Sequence, residues 1–490
     1  AQHVAAALQH NASLQSLELQ GNGLRMNGVQ YFAETLRRNR TLQFLGLAAN
    51  QIAATGALHL ARGLGENRWL RELDLGGNEL GSEGARRIAE ALQGDGRLKS
   101  LNIAGNAIGD SGAKAIAEGL RWSHALRSIS LGRNSIGAEG ARELADALKH
   151  NCVLHSLGLE GNHLGADGAH HVGQALQENQ FLMTLHLGEN SIGPQGAQHL
   201  GFALLLNKAL QSLSIPRNAL AQGFVHLTDA LVRSEALQHL DAGENGIGVE
   251  GARMLSDALK QNQILQSVSL EGNSIGPEGA GHLAEALSKN VALQSLHLGG
   301  NMILDEGARH LADAMVKNQT LSSLNLEGNK IRNEGIKHLA DVFPRRKGPL
   351  NLDLEGNWAR DGCSAHLAAS LRGSQALTHL ALGRNIMADD SARSMAEAHH
   401  QNQTIRNLDL SGAGSEWRAR STSVRPHADL TTSRTSTPRG IGSAQRAQIR
   451  LHGISPRPMP LCHSLGPRNV NPKILNMKKE PWSLLKHWTR

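Results

Sequence analysis

Asparagine returns every 28 residues along most of this chain: Asn22, Asn50, Asn78, Asn106, Asn134, Asn162, Asn190, Asn218, then Asn245, Asn273, Asn301, Asn329, Asn357 and Asn385. One interval, Asn218 to Asn245, is 27 residues. Fourteen copies on one pitch call for a solenoid, in which each unit borrows its core from its neighbours. Such a chain is first a surface and only rarely a catalyst.

Residues 126–151, LRSISLGRNSIGAEGARELADALKHN, show what one unit encodes. Ile129 and Leu131 alternate with Ser128 and Ser130, the period-2 pattern of a short strand with one buried face. Ala141, Leu144, Ala145 and Leu148 then fall at i, i+3, i+4 and i+7, one stripe of a helix. Gly137 and Gly140 are expected to relieve the tight loop between the two. The predicted class is therefore α/β: about 14–15 units with one parallel sheet inside and helices outside. Helices need about 8–10 Å of spacing and strands about 4.7–4.9 Å, so the stack bends into a horseshoe with the sheet on its concave face. The asparagine column has a structural reading. Its amide can donate to and accept from turn groups that stacking would otherwise leave buried and unpaired.

The pattern L-x-S-L-x-L-x-G-N-x-I-G-x-x-G-A-x-x-L-A-x-A-L-x-x-N, nearly unbroken at 265–290 and 293–318, resembles the ribonuclease-inhibitor-like class of leucine-rich repeats. Within that class the uniform length and the I-G-x-x-G-A loop are most similar to the carboxy-terminal region of NOD-like receptors with CARD-type effectors. The resemblance covers about residues 1–411. It implies a protein-binding, cytoplasmic scaffold and, more finely, a sensing or regulatory region. The ribonuclease inhibitor itself is rich in cysteine and aromatics, whereas this chain has three Cys and one Tyr. The Ran GTPase-activating protein, an alternative as an enzyme regulator, ends in an acidic segment, whereas this chain ends in a basic one.

The opening Ala1–Asn11 aligns with the helical half of a unit, Ala197–Asn207, and reads as the start of a piece cut from a longer protein. From residue 412 the period disappears. Residues 412–490 carry 14 Lys/Arg against Glu416, Asp429 and Glu480, with eight of the 13 prolines, leaving 36 basic and 40 acidic residues in 1–411. The expected organisation is a solenoid over 1–411 and a disordered basic Pro/Ser/Arg-rich tail over 412–490. The tail either attracts anionic partners, nucleic acid among them, weakly through charge, or is read-through rather than natural coding sequence.

Cys152, Cys363 and Cys462 have no metal-ligand spacing and an odd count, which favours a reducing compartment. The four N-x-Ser/Thr sequons, at Asn11, Asn39, Asn318 and Asn402, share one repeat position, so duplication explains them. No run of 18 apolar residues suggests a membrane span, and no phosphate loop, nucleophile motif or metal cluster is legible. The reading is non-catalytic, with no cofactor, metal or small-molecule substrate.

Outward strand positions lie six, four and two residues before each ladder asparagine. Counted also before Ala413 in the fifteenth strand, they hold ten acids, Glu18, Glu72, Asp74, Glu160, Asp241, Glu271, Glu327, Asp353, Glu355 and Asp409, and no Lys or Arg. His186, His239, His297 and His379 join them, and Phe44 is their one aromatic. The candidate partner-binding face comprises these acids with His186 and His297. It selects a basic protein by complementarity, or else its acids are solvated filler. Arg133, Arg217 and Arg384, one residue before the asparagine, dilute the bias. Glu327, Asp353 and Glu355, with Asp409 beyond, form the densest group, on which a basic peptide or the tail could lie. A histidine column (His59, His171, His199, His282, His310, His338, His366) is expected on the exposed convex side, too widely spaced to share a metal.

Overall fold

The structure, a computed structural model, describes residues 1–93 and 97–412. The predicted tail lies outside the described residues, apart from its first position. The described residues contain one open sheet of 15 parallel strands in chain order, from β1 (Ser16–Glu18) to β15 (Asn407–Asp409), alternating with α-helices from α1 (Gln2–His10) to α15 (Asp389–Gln401). Equivalent residues pair across strands, as in Ser267↔Ser295 and Val268↔Leu296, so one column of the sequence is one row of the sheet. Inward residues such as Ile129 and Leu131 and the helical stripe Ala141, Leu144, Ala145 and Leu148 are buried in a single continuous core. The expected leucine-rich-repeat solenoid is what forms.

Each ladder asparagine bonds in two directions. In all but one step from Asn22 to Asn357 its Oδ1 accepts the backbone N–H of the preceding ladder asparagine at 2.8–3.0 Å, while Asn190 and Asn385 accept from Leu164 (3.4 Å) and Ala359 (3.1 Å). Its Nδ2 donates to a carbonyl of the preceding coil, Asn134 to Ile103 O at 3.0 Å for example, and to carbonyls of its own turn. The 27-residue unit keeps the bond, with Asn218 N–H to Asn245 Oδ1 at 2.8 Å. The missing residue is absorbed on the helical side, where a short 3₁₀ turn (Ala221–Gly223) precedes helix Phe224–Arg233.

A second column, at the helix-to-strand turn, is equally regular. Asn39, Asn151, Asn207, Asn290, Asn318 and Asn402 donate from Nδ2 to carbonyls of the preceding coil at 2.7–2.8 Å, and their Oδ1 atoms accept N–H groups two and three residues on. Three sequon asparagines (Asn39, Asn318 and Asn402) are thus buried and engaged. In the unit after Asn318 this place belongs to Arg346, 2% exposed. Its guanidinium donates to Asn318 O at 2.6 Å, Met315 O at 3.2 Å, Gly348 O at 3.2 Å and Leu321 O. Burial lowers its pKa, and those carbonyls accept its donors in place of a carboxylate.

The loop after each ladder asparagine takes one of two forms. In the common form, the third residue after the asparagine sits at positive φ and donates to the next ladder carbonyl, as Gly109 does (φ 58°, 2.9 Å to Asn134 O). In four units that residue is extended instead, and its N–H donates to a side chain from the preceding helix start. The pairs are Gly137 to Asp110 (2.7 Å), Arg332 to Asp305 (2.7 Å), Arg360 to Asn333 (2.7 Å) and Ala388 to Asp361 (2.7 Å). Asp110, Asp305, Asn333 and Asp361 all lie four residues after a ladder asparagine, so one acid or amide there caps the next unit's helix and switches its loop. Gly137 therefore does not need a left-handed backbone. Gly140 serves close approach, since a Cβ there would stand 3.0 Å from Ala113 Cβ.

Removing a cross-unit cap should cost about 0.5–2 kcal/mol. We expect Asp305→Ala to destabilise more than Asp110→Ala in urea unfolding, because Gly137 can revert to the left-handed loop at little cost while Arg332 cannot. Asp305→Asn should retain most of the stability.

Candidate functional site

The twelve predicted partner-binding residues all lie on the solvent side of the sheet, but they do not form one site. Glu18, Glu72 and Asp74 stand at the amino-terminal strands, and Glu160 and His186 near the middle. Asp241, Glu271, His297, Glu327, Asp353, Glu355 and Asp409 belong to the last seven strands and their turns. Nine strand spacings of about 4.8 Å separate Asp74 from Asn325 along the sheet.

The acids divide by chemistry. Every aspartate among them sits four residues before the ladder position, where its short side chain accepts the N–H two residues on. Asp74 takes Gly76 N–H (2.9 Å), Asp241 takes Gly243 (3.2 Å), Asp353 takes Glu355 (2.9 Å) and Asp409 takes Ser411 (2.8 Å). Asn102 and Asn325 do the same for Ala104 and Glu327. These aspartates are thus partly structural, a role that the spacing alone would have indicated. The glutamates carry no such duty.

Only the carboxy-terminal group converges. Glu327 feels the charges of Glu271, Asp353 and Glu355, and Asp353 those of Glu355 and Asp409. Burial, then repulsion from Asp353 and Glu355, raises the Glu327 carboxyl above its ordinary value. Burial also raises Asp353, with Glu355 and Asp409 adding and the Glu355 N–H opposing. His297 Nδ1 lies 3.7 Å from Glu271 Oε1 at the edge of the group. One guanidinium enters it: Arg384 donates to Glu355 Oε1 (2.5 Å) and Glu327 Oε1 (3.2 Å) from outside the predicted positions. Arg384 is thus a direct counter-ion to the cluster and not a diffuse dilution of it. Arg217 behaves alike further along, between Glu189 (3.0 Å) and Glu244 (2.7 Å).

The convex histidines are mostly half-buried at helix seams rather than exposed, with His366 the exposed exception. His170, adjacent to the column, brings its Nδ1 to 3.2 Å from His199 Nδ1. Burial and the His170 ring lower the His199 pKa. Among the described residues no group of three or more His, Cys, Asp or Glu is placed to hold a metal ion, and no helix is long and apolar enough to cross a membrane.

A family model described as Leucine Rich repeat matches seven segments, 10–33, 66–89, 98–117, 123–145, 178–201, 261–284 and 317–340. These segments are leucine-rich repeats, and the described residues have the architecture of a leucine-rich-repeat solenoid. No curated protein matches it. Similar solved structures include the leiomodin-1 actin-binding site 2 (23% identity, 27% of this chain and 76% of that one, TM-score 0.25). A chain of the yeast Rad7–Elc1 complex structure aligns at 20% identity over 73% of this chain and 83% of that one, TM-score 0.46. The Caenorhabditis elegans tropomodulin C-terminal domain aligns at 18% identity over 31% of this chain and 92% of that one, TM-score 0.27.

A carboxyl raised in the folded state binds its proton more tightly there than in the unfolded chain. Its charge therefore costs stability at neutral pH, and that cost is relieved as pH falls toward about 4. We expect Asp353→Asn and Glu327→Gln each to raise the thermal midpoint at pH 7, with the advantage over wild type shrinking between pH 7 and 4 in a scanning fluorimetry series. The amide oxygen that Asp353→Asn leaves in place would still accept the Glu355 N–H.

Proposed function

We propose that this chain is a non-catalytic protein-interaction scaffold whose sheet face takes a basic segment of a partner between the turns of Glu271 and Asp409. The observation that carries the reading is the row of carboxylates from Glu271 to Asp409, with Glu327 and Asp353 raised and Arg384 bound to Glu327 and Glu355 as counter-ion. A face that holds charges at a cost is complementary to a cation that would relieve it. The rigid stack presents these groups pre-organised, so little backbone movement accompanies binding. Asp241, His186 and Glu160 extend the surface toward its middle, and Glu18, Glu72 and Asp74 would be reached only by a long partner. The resemblance of the 28-residue units to those of NOD-like receptors supports, as the biological setting, the sensing or regulatory region of such a receptor. No observed group favours GTPase activation.

The test is affinity capture with the full chain and a matched Glu327→Gln/Asp353→Asn/Glu355→Gln variant, followed by cross-linking to locate what is retained. A basic protein cross-linked near Asn325–Asp353 by the wild type and lost by the variant is the expected result. Equal retention would overturn the reading. Because Arg384 competes for the same carboxylates, Arg384→Ala should tighten that partner several-fold, mainly through a faster on-rate at low salt.

A further inference from the structure

The loops on the rim of the same units carry a second surface of opposite character. In ten consecutive units, from Asn22 to Asn273, the first and third residues after the ladder asparagine are small or polar, as in Gly23/Arg25, Ser191/Gly193 and Ser274/Gly276. In the next four they become Met302/Leu304, Lys330/Arg332, Trp358/Arg360 and Ile386/Ala388. Met302 is 43% exposed, Leu304 40%, Trp358 42% and Ile386 54%.

Three independent features show that this is more than a drift in composition. Met302 and Leu304 are held at φ 56° and 57°, in the left-handed region; other units place polar residues such as Gln51 and Ser191 at the first of these positions and Gly165 or Gly193 at the second. A bulky side chain there is strained, and exposing it gains nothing for the fold. Further on, the switched loops are tied into a local ladder. Trp358 N–H donates to Ile331 O (2.8 Å), Ile386 N–H to Ala359 O (2.9 Å), and Arg360 pairs with Ile386 as an isolated parallel bridge. Finally, two cations flank the indole, Lys330 Nζ at 5.8 Å and Arg332 Cζ at 5.5 Å from the Trp358 ring centroid, which orients it. Among the described residues Lys330, Arg332 and Arg360 make no ion pair. The nearby carboxylates of Asp305 and Asp361 have an oxygen engaged in capping the next helix.

We propose that the rim from Met302 to Ile386 is a docking surface for an extended acidic peptide segment bearing a bulky apolar side chain. The apolar group lies on Trp358 and its aliphatic neighbours, and carboxylates pair with Lys330, Arg332 and Arg360. Trp and Arg side by side, pre-oriented and half-exposed, are the usual make-up of an interface anchor. A nucleic acid fits less well. Its bases need stacking planes, and Met302, Leu304 and Ile386 offer none. The surface goes beyond the acidic sheet face and stands or falls separately from it, since it selects the opposite charge.

The experiment pans a random twelve-residue phage-displayed library on the full chain in parallel with Trp358→Ala, Leu304→Gly and Glu327→Gln/Glu355→Gln chains. We expect a set of clones lost with Trp358→Ala, acidic and carrying Phe, Trp, Leu or Met. A synthetic peptide from that set should weaken at least ten-fold in Kd on Trp358→Ala and on Leu304→Gly, and stay within about two-fold on the double glutamate variant. Leu304→Gly separates binding from folding, because relief of the left-handed backbone should raise the thermal midpoint while affinity falls. No Trp358-dependent clone, or Trp358-dependent clones that are basic, would overturn the proposal. So would oligothymidylate binding with the same Trp358 dependence, or a dimer in sedimentation that Trp358→Ala dissolves. Loss of basic clones alone on the glutamate variant bears on the sheet face and leaves the rim intact.

Discussion

The buried amide of the ladder asparagine is the interaction on which the rest of the structure depends. One side chain serves two coils, accepting from the coil before it and donating back to a carbonyl of that same coil. Asn218 and Asn245 keep a 2.8 Å bond even across the shortened unit. Leaving such groups unpaired in the interior would cost about 1–3 kcal/mol each, more than one bond contributes net. The pitch is therefore fixed by polar satisfaction and the core by leucine packing. The result is a lattice on which each surface position recurs at a constant spacing, and a deletion is displaced onto the helices, where a 3₁₀ turn can absorb it.

On so regular a lattice, individuality enters where the backbone has two solutions. An Asp or Asn four residues past the ladder converts the next loop from left-handed to extended by offering its N–H a better partner. Where that happens once, at Asp110, the neighbouring loop still carries Gly137 and the surface hardly changes. Where it happens three times running, from Asp305 through Asn333 to Asp361, the rim acquires a short parallel ladder and side chains too large for the default turn. The local chemistry of one cap thus decides what the rim can display.

Much of this was legible from residue order. The period, the strand with one face buried, the helical stripe and the bonding role of Asn22 to Asn385 follow from spacing and hydrogen-bonding capacity. The second asparagine column was visible too, as the shared position of the sequons, yet its burial depends on carbonyls from a neighbouring unit that no local pattern reveals. Arg346 is the extreme case: its charge argues for a surface, and only the converging carbonyls explain its burial. The charged groups were read least well. Spacing assigns Glu327, Asp353 and Glu355 to one face, but Arg384 reaches across a unit to join them, and His170 meets His199 across a helix seam. Side-chain reach between units, not periodicity, sets those contacts.

In a stack whose stability is a sum of unit and nearest-neighbour terms, an unfavourable group weakens mainly its own segment. The units from Asn301 to Asn385 concentrate such groups: raised carboxyls at Glu327 and Asp353, and large apolar residues on a left-handed backbone at Met302 and Leu304. The same units also concentrate reinforcement, with Arg346 joining carbonyls of several turns and three side-chain caps in succession where the rest of the described stack has one. Strain and its compensation in one place are hard to explain by drift, which would scatter both along fourteen near-identical units. Their coincidence argues that the surface of this segment, rather than its fold, determines which residues it carries.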